Sequence, residues 1–514
     1  MRLLFLAFLL ASCAAETQNW PQPSGPNGTW QITIDQEPPL SFSVAEKKNT
    51  LWTSTLPEGG QSAIVVWGDR IFLSIMKPAT SEKIEDLMGS DIVALCLDAT
   101  DGTILWQSEI KGSVKSPYMY GFSDSTSPGP VTDGEKVWFF NSSGNITGFD
   151  FEGNKLWERK WDPIEELNGI EFPFNKQFEP FLIGDILVNM EPYMEQDGER
   201  EFGWNYLYGL DKNTGEVIWI SEDGLTHYNT PFYSKDVLGR PTVLIGRGGH
   251  HQIPEEPRGY SMIDLSDGKN IWRYQTDEGM ALYHSVFNKD YAVWYTESEN
   301  ELHVLNSNNG ELLKKISLTD HVDVRGYDTV ANAYKFQEGI NYQEQTGFNV
   351  FPGWYTNMII GDQLFFMCFK EGRHRKGIGP AYSFARVNLK SGRVEYLEVP
   401  VFKDSDREIW QQNLVTETIN SRGLDVSQDK RSRRNGWHWC FNGNPIAING
   451  KIYYTTMLGV CYIIDSETAN FDREALVSVN DLGPLGKTWS LNTPSYANGK
   501  LYHRTLKELI CIGK

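Results

Sequence analysis

Cysteine is scarce in this chain: there are six in 514 residues, and no two of them form a Cys-x-x-Cys pair. Structural zinc sites depend on such closely spaced thiolates, so their absence argues against one. Cys368 and Cys440 flank long insertions and could form a disulfide in an oxidising compartment. Because five cysteines lie beyond residue 15, at least one thiol stays unpaired within a single chain.

Basic charge is also in short supply. The chain has 47 Lys and Arg against 67 Asp and Glu, which gives a net charge of −20. Nucleic acids and anionic membrane surfaces both demand basic patches, so neither is an expected partner. The one basic run, residues 430–434, lies in a long polar segment and is interpreted as a solvated loop tip.

Motifs of hydrolytic enzymes are missing, and so are linkers. The sequence contains no Gly-x-Ser-x-Gly, no His-Glu-x-x-His and no paired-carboxylate pattern that would indicate hydrolysis. No Pro/Ser-rich or low-complexity tract divides the chain into separate domains. The length alone suggests several domains, but the repeats described below outweigh that expectation.

Long hydrophobic runs are limited to the N-terminus. Arg2 precedes the apolar run 3–10, which is too short to span a bilayer, and small residues follow it. This pattern predicts a secretory signal peptide over residues 1–15. Leu10-Ala-Ser-Cys13 resembles a bacterial lipobox, in which Cys13 is acylated; ordinary cleavage after Ala14 or Ala15 is the alternative. We expect a periplasmic or outer-membrane-anchored lipoprotein, with residues 16–47 as a tether and the lipid as its sole membrane contact.

One phrase recurs along the rest of the chain: an aspartate, a polar turn with a glycine, and a tryptophan four residues after that glycine. Asp caps such turns and Gly supplies positive φ, so each copy predicts a hairpin whose tryptophan packs against a neighbouring repeat. Three weaker copies begin at Asn306, Asn388 and Asp465. The four full copies are Asp98–Trp106, Asp150–Trp157, Asp211–Trp219 and Asp264–Trp272.

A second unit, two apolar runs around a tight turn, alternates with the first. There are eight of these, but only seven Asp–Gly phrases, and the chain ends after a third strand. The run 48–57 near the start reads as an unattached fourth strand. The sequence therefore predicts an all-β, eight-bladed β-propeller of four-stranded antiparallel blades over residues 48–514, with the N-terminal strand closing the last blade.

The connections between strands differ on the two faces of this predicted ring. Turns joining strands 1–2 and 3–4 of each blade are tight, and we call their side the tight-turn face. All insertions fall on the opposite side, the elaborated face: 76–91, 110–125, 190–204, 247–259, 317–354, 369–381 and 401–442. Loops longer than about 12–15 residues are usually functional, so the elaborated face is the predicted working face.

Polar residues precede the first strand of six blades and should ring the channel mouth on the elaborated face. They are Glu179, Thr230, His284, Thr356, Asn444 and Thr493. Such a ring fits a ligand site or, alternatively, a water-filled channel whose rim satisfies strand ends. Glu179 and Asn444 would be the ligands if calcium bound. His438 and Trp439 end the largest insertion and predict an aromatic wall with a polar handle, or simple burial of that insertion.

These repeats resemble the PQQ-like (pyrroloquinoline quinone type) β-propeller repeat over roughly residues 48–514. The opening Trp20–Gly28 is similar to the start of many secreted bacterial members. The resemblance implies the fold, and two possible kinds of function. Quinoprotein dehydrogenases of the family hold PQQ and calcium at the ring centre. Other members, including the lipoprotein scaffold of the outer-membrane β-barrel assembly machinery, work through contacts alone.

One departure favours the second kind. The alcohol-oxidising members carry adjacent cysteines beside the cofactor, and this chain has no Cys-Cys pair. We therefore expect a monomeric, non-catalytic propeller without a cofactor that binds an envelope protein, a small molecule or a glycan on its elaborated face. A PQQ- and calcium-dependent oxidoreductase and a carbohydrate-binding propeller are the alternatives.

Overall fold

The computed structural model describes most of the chain from residue 18 onward. The described residues are 18–78, 80, 88–113, 116–117, 124–161, 178–195, 197–198, 200–226, 230–248, 257–279, 284–296, 299–347, 349–369, 382–410, 416–426 and 443–514. The fold is an all-β propeller of eight small antiparallel sheets, as the sequence predicts. No helix in these ranges is long and apolar enough to cross a membrane.

The first four blades each contain four strands in simple meander order, counted outward from the central channel. Blade 1 is Val65–Trp67, Arg70–Met76, Ile92–Asp98 and Ile104–Ile110; blade 2 is Val131–Thr132, Lys136–Asn141, Asn145–Asp150 and Lys155–Lys160. Blade 3 is Phe181–Ile183, Ile186–Pro192, Asn205–Asp211 and Val217–Leu225; blade 4 is Phe232–Lys235, Pro241–Arg247, Gly259–Asp264 and Asn270–Gln275.

The other four blades vary this plan. In blade 5 the innermost strand is reduced to a single bridge between Phe287 and Ala292. Its remaining strands are Tyr291–Thr296, Glu301–Asn306 and Leu312–Ser317; blade 6 is Met358–Ile360, Gln363–Phe369, Tyr382–Asn388 and Val394–Glu398. Blade 7 is Ile446–Ile448, Lys451–Thr455, Val460–Asp465 and Leu476–Asp481; blade 8 is Ser495–Ala497, Lys500–Arg504, Glu508–Ile512 and, from the N-terminal side, Thr50–Thr55.

The ring is closed by pairing the two ends of the propeller. Thr50–Thr55 lies antiparallel to Glu508–Ile512, with Thr53 opposite Ile510. The second and third strands of the blades are almost fully buried because neighbouring blades cover both of their sides, whereas the outer strand Thr50–Thr55 alternates between half-buried and exposed residues. Cys96, Cys461 and Cys511 are buried on third strands.

Short elements outside the blades complete the described structure. They are the strands Gln31–Ile32, Met88–Gly89, Ser116–Pro117, Val322–Asp328, Ala333–Ile340, Phe351–Pro352, Phe402–Asp404 and Arg407–Ile409, the helix Tyr342–Thr346 and the 3-10 turn Arg473–Ala475. The helix begins at Asn341, whose side chain accepts a hydrogen bond from the Glu344 backbone, and ends at Gly347 in the left-handed region.

The turns of the Asp–Gly–Trp phrase join neighbouring blades at five junctions, from blade 8 around to blade 5. The aspartate side chain accepts backbone N–H groups within its own turn, as Asp211 does from Asn213 at 2.7 Å. The tryptophan of one blade lies on the glycine turn of the following blade, as predicted; the pairs are Trp52–Gly102, Trp106–Gly153, Trp157–Gly215, Trp219–Gly268 and Trp272–Gly310.

Hydrogen bonds strengthen this contact in several blades. The indole nitrogen of Trp157 donates to the carbonyl of Lys212 at 2.9 Å, and that of Trp272 donates to Ser307 at 2.8 Å. Blade 5 has Lys314 at the tryptophan position, and its ammonium donates to the Lys390 carbonyl in the next turn at 2.6 Å. The phrase is therefore a connection between blades, which explains its recurrence without any role in activity.

Gly215→Ala and Gly392→Ala are both expected to lower the free energy of unfolding. The loss in Gly215→Ala should exceed that in Gly392→Ala by about 1–3 kcal/mol. Both glycines have positive φ at the same point of the phrase, so both variants gain backbone strain. A Cβ at Gly215 would lie 2.8 Å from the Trp157 ring, whereas nothing lies within 4 Å of a Cβ at Gly392. Urea unfolding measures both, and equal losses would contradict the packing role of the tryptophan.

Candidate functional site

The N-terminal residues 18–36, which we call the axial belt, lie across the tight-turn mouth of the channel and touch the blades in order. Four blades are reached by hydrogen bonds to the belt's first half and its middle. These join Trp20 and Val66 (blade 1, 2.8 and 2.9 Å), Thr132 and Pro21 (blade 2, 2.8 Å), Leu182 and Gln22 (blade 3, 2.9 Å), and Gln31 and Ile359 (blade 6, 2.9 Å).

The belt packs on the remaining blades with rings and backbone. Gly28 lies directly against the Tyr233 ring of blade 4, and Trp30 makes an edge contact with His284 of blade 5 at 4.7 Å. Gln31–Ile32 runs parallel to Ala447–Ile448 of blade 7. Tyr496 of blade 8 donates its hydroxyl to the carbonyl of Gln36 at 2.6 Å.

The predicted tether is wrong for residues 18–47, because this segment is packed on the ring. Trp20 is fully buried and Trp30 is 2% exposed. Beyond the belt, Phe42 donates its backbone N–H to Asn480 of blade 7 at 2.8 Å. Gly25 and Gly28 of this segment adopt positive φ beneath aromatic rings, where any Cβ would clash.

Glu179 precedes the first strand of blade 3 and contacts blade 2. Its Oε2 accepts the backbone N–H of Gly129 at 2.8 Å. The residue as a whole is half-buried, but burial of the carboxyl group raises its pKa to about 8, and the hydrogen bond from Gly129 opposes this only in part. A protonated carboxyl at this position is a donor as well as an acceptor.

The Glu179→Gln variant is expected to remove a pH dependence of stability. Between the unshifted pKa of 4.5 and the folded value of about 8, the folded wild type holds about one proton more than the unfolded chain. Wild-type stability relative to the variant therefore falls as pH rises through this window. Thermal unfolding of both proteins from pH 4.5 to 8 measures it, and a constant difference in Tm would contradict it.

His284 lies at the inner edge of blade 5, between the belt and the elaborated face. Its ring is 2% exposed and contacts Trp30 and, at 5.7 Å, Phe232. Neither ring nitrogen has a hydrogen-bond partner among the described residues. Burial lowers the pKa of His284 to about 3, so the imidazole is neutral at physiological pH.

The other predicted channel residues are tied to their own or neighbouring blades. Thr356 donates its hydroxyl to the Gly353 carbonyl at 2.9 Å and accepts the Met367 N–H at 3.1 Å. Thr230 accepts the Ser285 N–H at 3.2 Å through its carbonyl. Asn444 is 8% exposed, with no partner for Oδ1 among the described residues. Thr493, which is half-buried, lies beside Gly443.

Glu179 and Thr230 therefore bond to neighbouring blades and Thr356 to its own blade, and the ring of side chains at the channel mouth stays a prediction. Asn357, next to Thr356, donates its amide to the His284 carbonyl at 3.3 Å, which links blades 6 and 5 in the same way. His438, Trp439, Cys440 and Cys13 lie outside the described residues. The predicted aromatic wall, the Cys368–Cys440 disulfide and the lipid on Cys13 therefore stay predictions.

A calcium-held quinone does not fit the described residues. Calcium takes six to eight oxygen ligands, usually including several carboxylates. Glu179 and Asn444 stand on blades 3 and 7, which are opposite each other in a ring of eight, and Glu179 is engaged by Gly129. In the part of the chain that the structure describes, no three His, Cys, Asp or Glu side chains come together to hold a metal.

The described parts of two insertions pack on the blades. In the longest one, residues 416–426 lie over the connections between blades 7, 8 and 1. Asn420 donates its amide to the buried Glu58 at 2.6 Å, and Thr416 donates to the Thr488 carbonyl at 2.5 Å. In the insertion at 317–354, residues 322–340 form a hairpin that extends the outer edge of blade 6.

This hairpin is held on blade 6 by charge and by aromatic stacking. Val322–Asp328 runs parallel to the outer strand Val394–Glu398, and Tyr327 stacks on Trp410 with ring centres 3.6 Å apart. Beneath it, the buried Glu395 accepts two hydrogen bonds from Arg386 at 2.8 and 2.6 Å. Arg393 and Arg325 approach the same carboxylate at 3.3 and 3.6 Å.

A buried arginine under the elaborated face was not among the residues predicted from the sequence. Arg504 ends the second strand of blade 8, is fully buried and donates to the Ser74 carbonyl of blade 1 at 2.8 Å. Burial lowers the pKa of Arg504 to about 10, and the negative charge of Asp124 opposes the shift. The sequence signal for this residue is a charged side chain within an otherwise apolar strand. Its contacts join the two blades at the point of closure.

Comparisons with known proteins agree with the architecture. Residues 18–189 match a PQQ-like repeat family described as "Outer membrane protein assembly factor BamB", so the resemblance seen in the sequence is confirmed there. The match begins in the axial belt and ends in blade 3. A comparison with curated proteins gives no significant match.

Solved structures with this fold include quinoprotein enzymes. A europium-containing methanol dehydrogenase is 13% identical, with a TM-score of 0.51, over 94% of this chain and 89% of that one. The quinohemoprotein alcohol dehydrogenase from Comamonas testosteroni gives the same identity and TM-score over 96% and 81%. BamB from Moraxella catarrhalis is 12% identical over 90% of this chain and 96% of that one, with a TM-score of 0.45. At these identities the likeness shows the fold alone.

Proposed function

We propose that this protein is an exported, lipid-anchored propeller that binds a partner protein of the cell envelope on its elaborated face and catalyses no reaction. Export and the anchor rest on the signal pattern and on Cys13. The match of residues 18–189 to a family described as an outer membrane protein assembly factor supports an envelope partner.

The main support for the proposal is that the protein's own residues cover one mouth of the channel and bond to one another around it. The axial belt lies across the tight-turn mouth. Glu179 accepts the backbone N–H of Gly129, and Thr356 donates its hydroxyl to the carbonyl of Gly353. On the elaborated face, in contrast, residues 416–426 are fixed to distant connections such as Glu58. Contacts of this kind hold a described part of the elaborated face in one arrangement, which suits protein recognition because little conformational entropy is lost there on binding.

The test is co-purification from envelope membranes. The full chain with a C-terminal tag is expected to bring down a defined partner at constant ratio after mild detergent extraction. Cys13→Ala is expected to release the protein from the membrane fraction and to weaken this recovery, because anchoring raises the effective concentration of partner. Recovery of the chain alone, under conditions that keep other envelope complexes intact, would refute the proposal.

A quinoprotein-type oxidoreductase is the second candidate, favoured by the shared fold of the two dehydrogenases. Titration of the dialysed protein with PQQ and calcium separates the two functions. We expect no saturable change in quinone absorbance up to about 100 µM, a concentration far above the typical Kd of a resident cofactor. Saturation at one PQQ per chain would replace our proposal with this candidate.

A further inference from the structure

The place where the chain enters the ring fixes how an anchored molecule faces the membrane. Gln18 donates its backbone N–H to the Asn498 side chain at 2.9 Å, and Asn19 accepts the Gly68 N–H at 2.8 Å. Asn498 and Gly68 belong to the inner tight turns of blades 8 and 1. The first described residue therefore lies on the tight-turn face, close to the channel.

Few residues separate this point from the proposed anchor. From Cys13 to Gln18 there are five peptide steps, which extend to at most roughly 18 Å. A blade is taller than this reach: the strand Ile186–Pro192 alone has seven residues, whose six steps span roughly 20 Å. To reach the elaborated face, the chain would also have to pass outward over three further strands, roughly 14 Å more.

We infer that the anchored protein holds its tight-turn face toward the bilayer and its elaborated face toward the aqueous compartment. This rests on the proposed lipid at Cys13. It narrows the partner class, because a surface held at least a blade height from the bilayer meets water-soluble domains and not membrane-embedded segments. The partner is therefore a soluble domain of an envelope protein, or a soluble protein.

The charge of the molecule is consistent with this geometry. The tight-turn face carries exposed carboxylates such as Asp69 and Asp185, with side chains 74% and 80% exposed. Each of them forms an ion pair, Asp69 with Arg70 at 3.4 Å and Asp185 with Lys212 at 3.1 Å, and screening removes most of any remaining repulsion from an anionic bilayer beyond about 8–10 Å. A linker of roughly 18 Å allows that separation, so the face is oriented toward the membrane without docking on it.

Short-range fluorescence quenching tests the orientation. A genetically encoded fluorescent amino acid is placed at Asp185 or at Glu195, two exposed positions that flank the blade 3 strand Ile186–Pro192 on its two sides. The anchored full-length protein is bound to vesicles of phosphatidylethanolamine and phosphatidylglycerol that carry a headgroup spin label. We expect at least twofold stronger quenching at Asp185. Equal quenching, or stronger quenching at Glu195, would overturn the inferred orientation.

The anchor is tested separately, so that its failure can be told from a wrong orientation. Loss of vesicle binding in Cys13→Ser supports the lipid. If the wild type binds no better than this variant, the natural anchor in the proposed function is wrong. In that case the protein is prepared as a chain that begins at Cys13, and a maleimide lipid is coupled to this cysteine, which supplies the same attachment point. The comparison of quenching at Asp185 and Glu195 then decides which face is turned toward the bilayer.

Discussion

Trp30→Ala is expected to reduce the free energy of unfolding by about 3–5 kcal/mol, the usual loss when a fully packed tryptophan is truncated. The indole is 2% exposed, stacks on Phe232 with ring centres 5.9 Å apart and meets His284 edge-on. Its φ of 54° is in the left-handed region, so the surrounding packing must hold the strained backbone. Denaturant unfolding measures the loss.

The same variant is expected to loosen the axial belt locally. Limited proteolysis should cut within residues 18–36 at least tenfold faster in Trp30→Ala than in the wild type, because the indole contacts two blades from the middle of the belt. Trp30→Phe, which keeps a ring against Phe232, is the matched control and should lose less than half as much stability. A loss below about 1 kcal/mol in Trp30→Ala would show that the belt is not a structural part of the ring.

Glu395→Ala is expected to reduce the free energy of unfolding by a similar amount, about 3–5 kcal/mol, because it leaves the charge of a buried arginine without its carboxylate partner. The side chains of Arg386 and Glu395 are only 7% and 5% exposed. Arg386 also donates to the Thr468 carbonyl at 2.6 Å, so the group joins blade 6 to the connection in blade 7. Thermal and denaturant unfolding measure the effect, which should include early detachment of the 322–340 hairpin.

Arg393→Ala is the matched control for this network. Arg393 approaches the same carboxylate at 3.3 Å and donates two hydrogen bonds to the buried Asp323 at 3.0 and 2.8 Å, but its own side chain is 51% exposed. Asp323 keeps the backbone N–H of Gly339 after the substitution, so we expect a smaller loss than for Glu395→Ala, about 1–3 kcal/mol. If removal of the exposed arginine costs as much as removal of Glu395, burial is not what gives this network its importance.

The repeats made most of the ring predictable. The spacing of Asp, Gly and Trp fixes a hairpin in each copy, and counting eight inner units against seven outer phrases predicts both the blade number and the supply of Thr50–Thr55 from the N-terminus. Tryptophan packing against the next repeat follows from the size of its ring. These features are local or repeated, so each copy reinforces the interpretation of the others.

The axial belt and the blade 6 hairpin were not predictable in the same way, because each occurs once. Gly25 and Gly28 look like flexible residues until the rings of Trp20 and Tyr233 are seen above them. The parallel pairing of Asp323 with Glu395 joins segments seventy residues apart, and no period connects them. The channel residues could be aligned from the repeats, but their partners, such as Gly129 for Glu179, depend on neighbouring blades.

Photocross-linking from the two faces tests most directly the central claim, that the elaborated face is the binding surface. A photoreactive amino acid is placed at Glu195 on that face in one variant and at Asp185 on the tight-turn face in the other. Both positions belong to blade 3 and both are exposed, so the two variants differ mainly in the face that they probe. After irradiation of intact cells, the account predicts one adduct of defined mass from Glu195, or from other exposed positions on the elaborated face, and none from Asp185. Adducts formed equally from both faces, or only from Asp185, would contradict it.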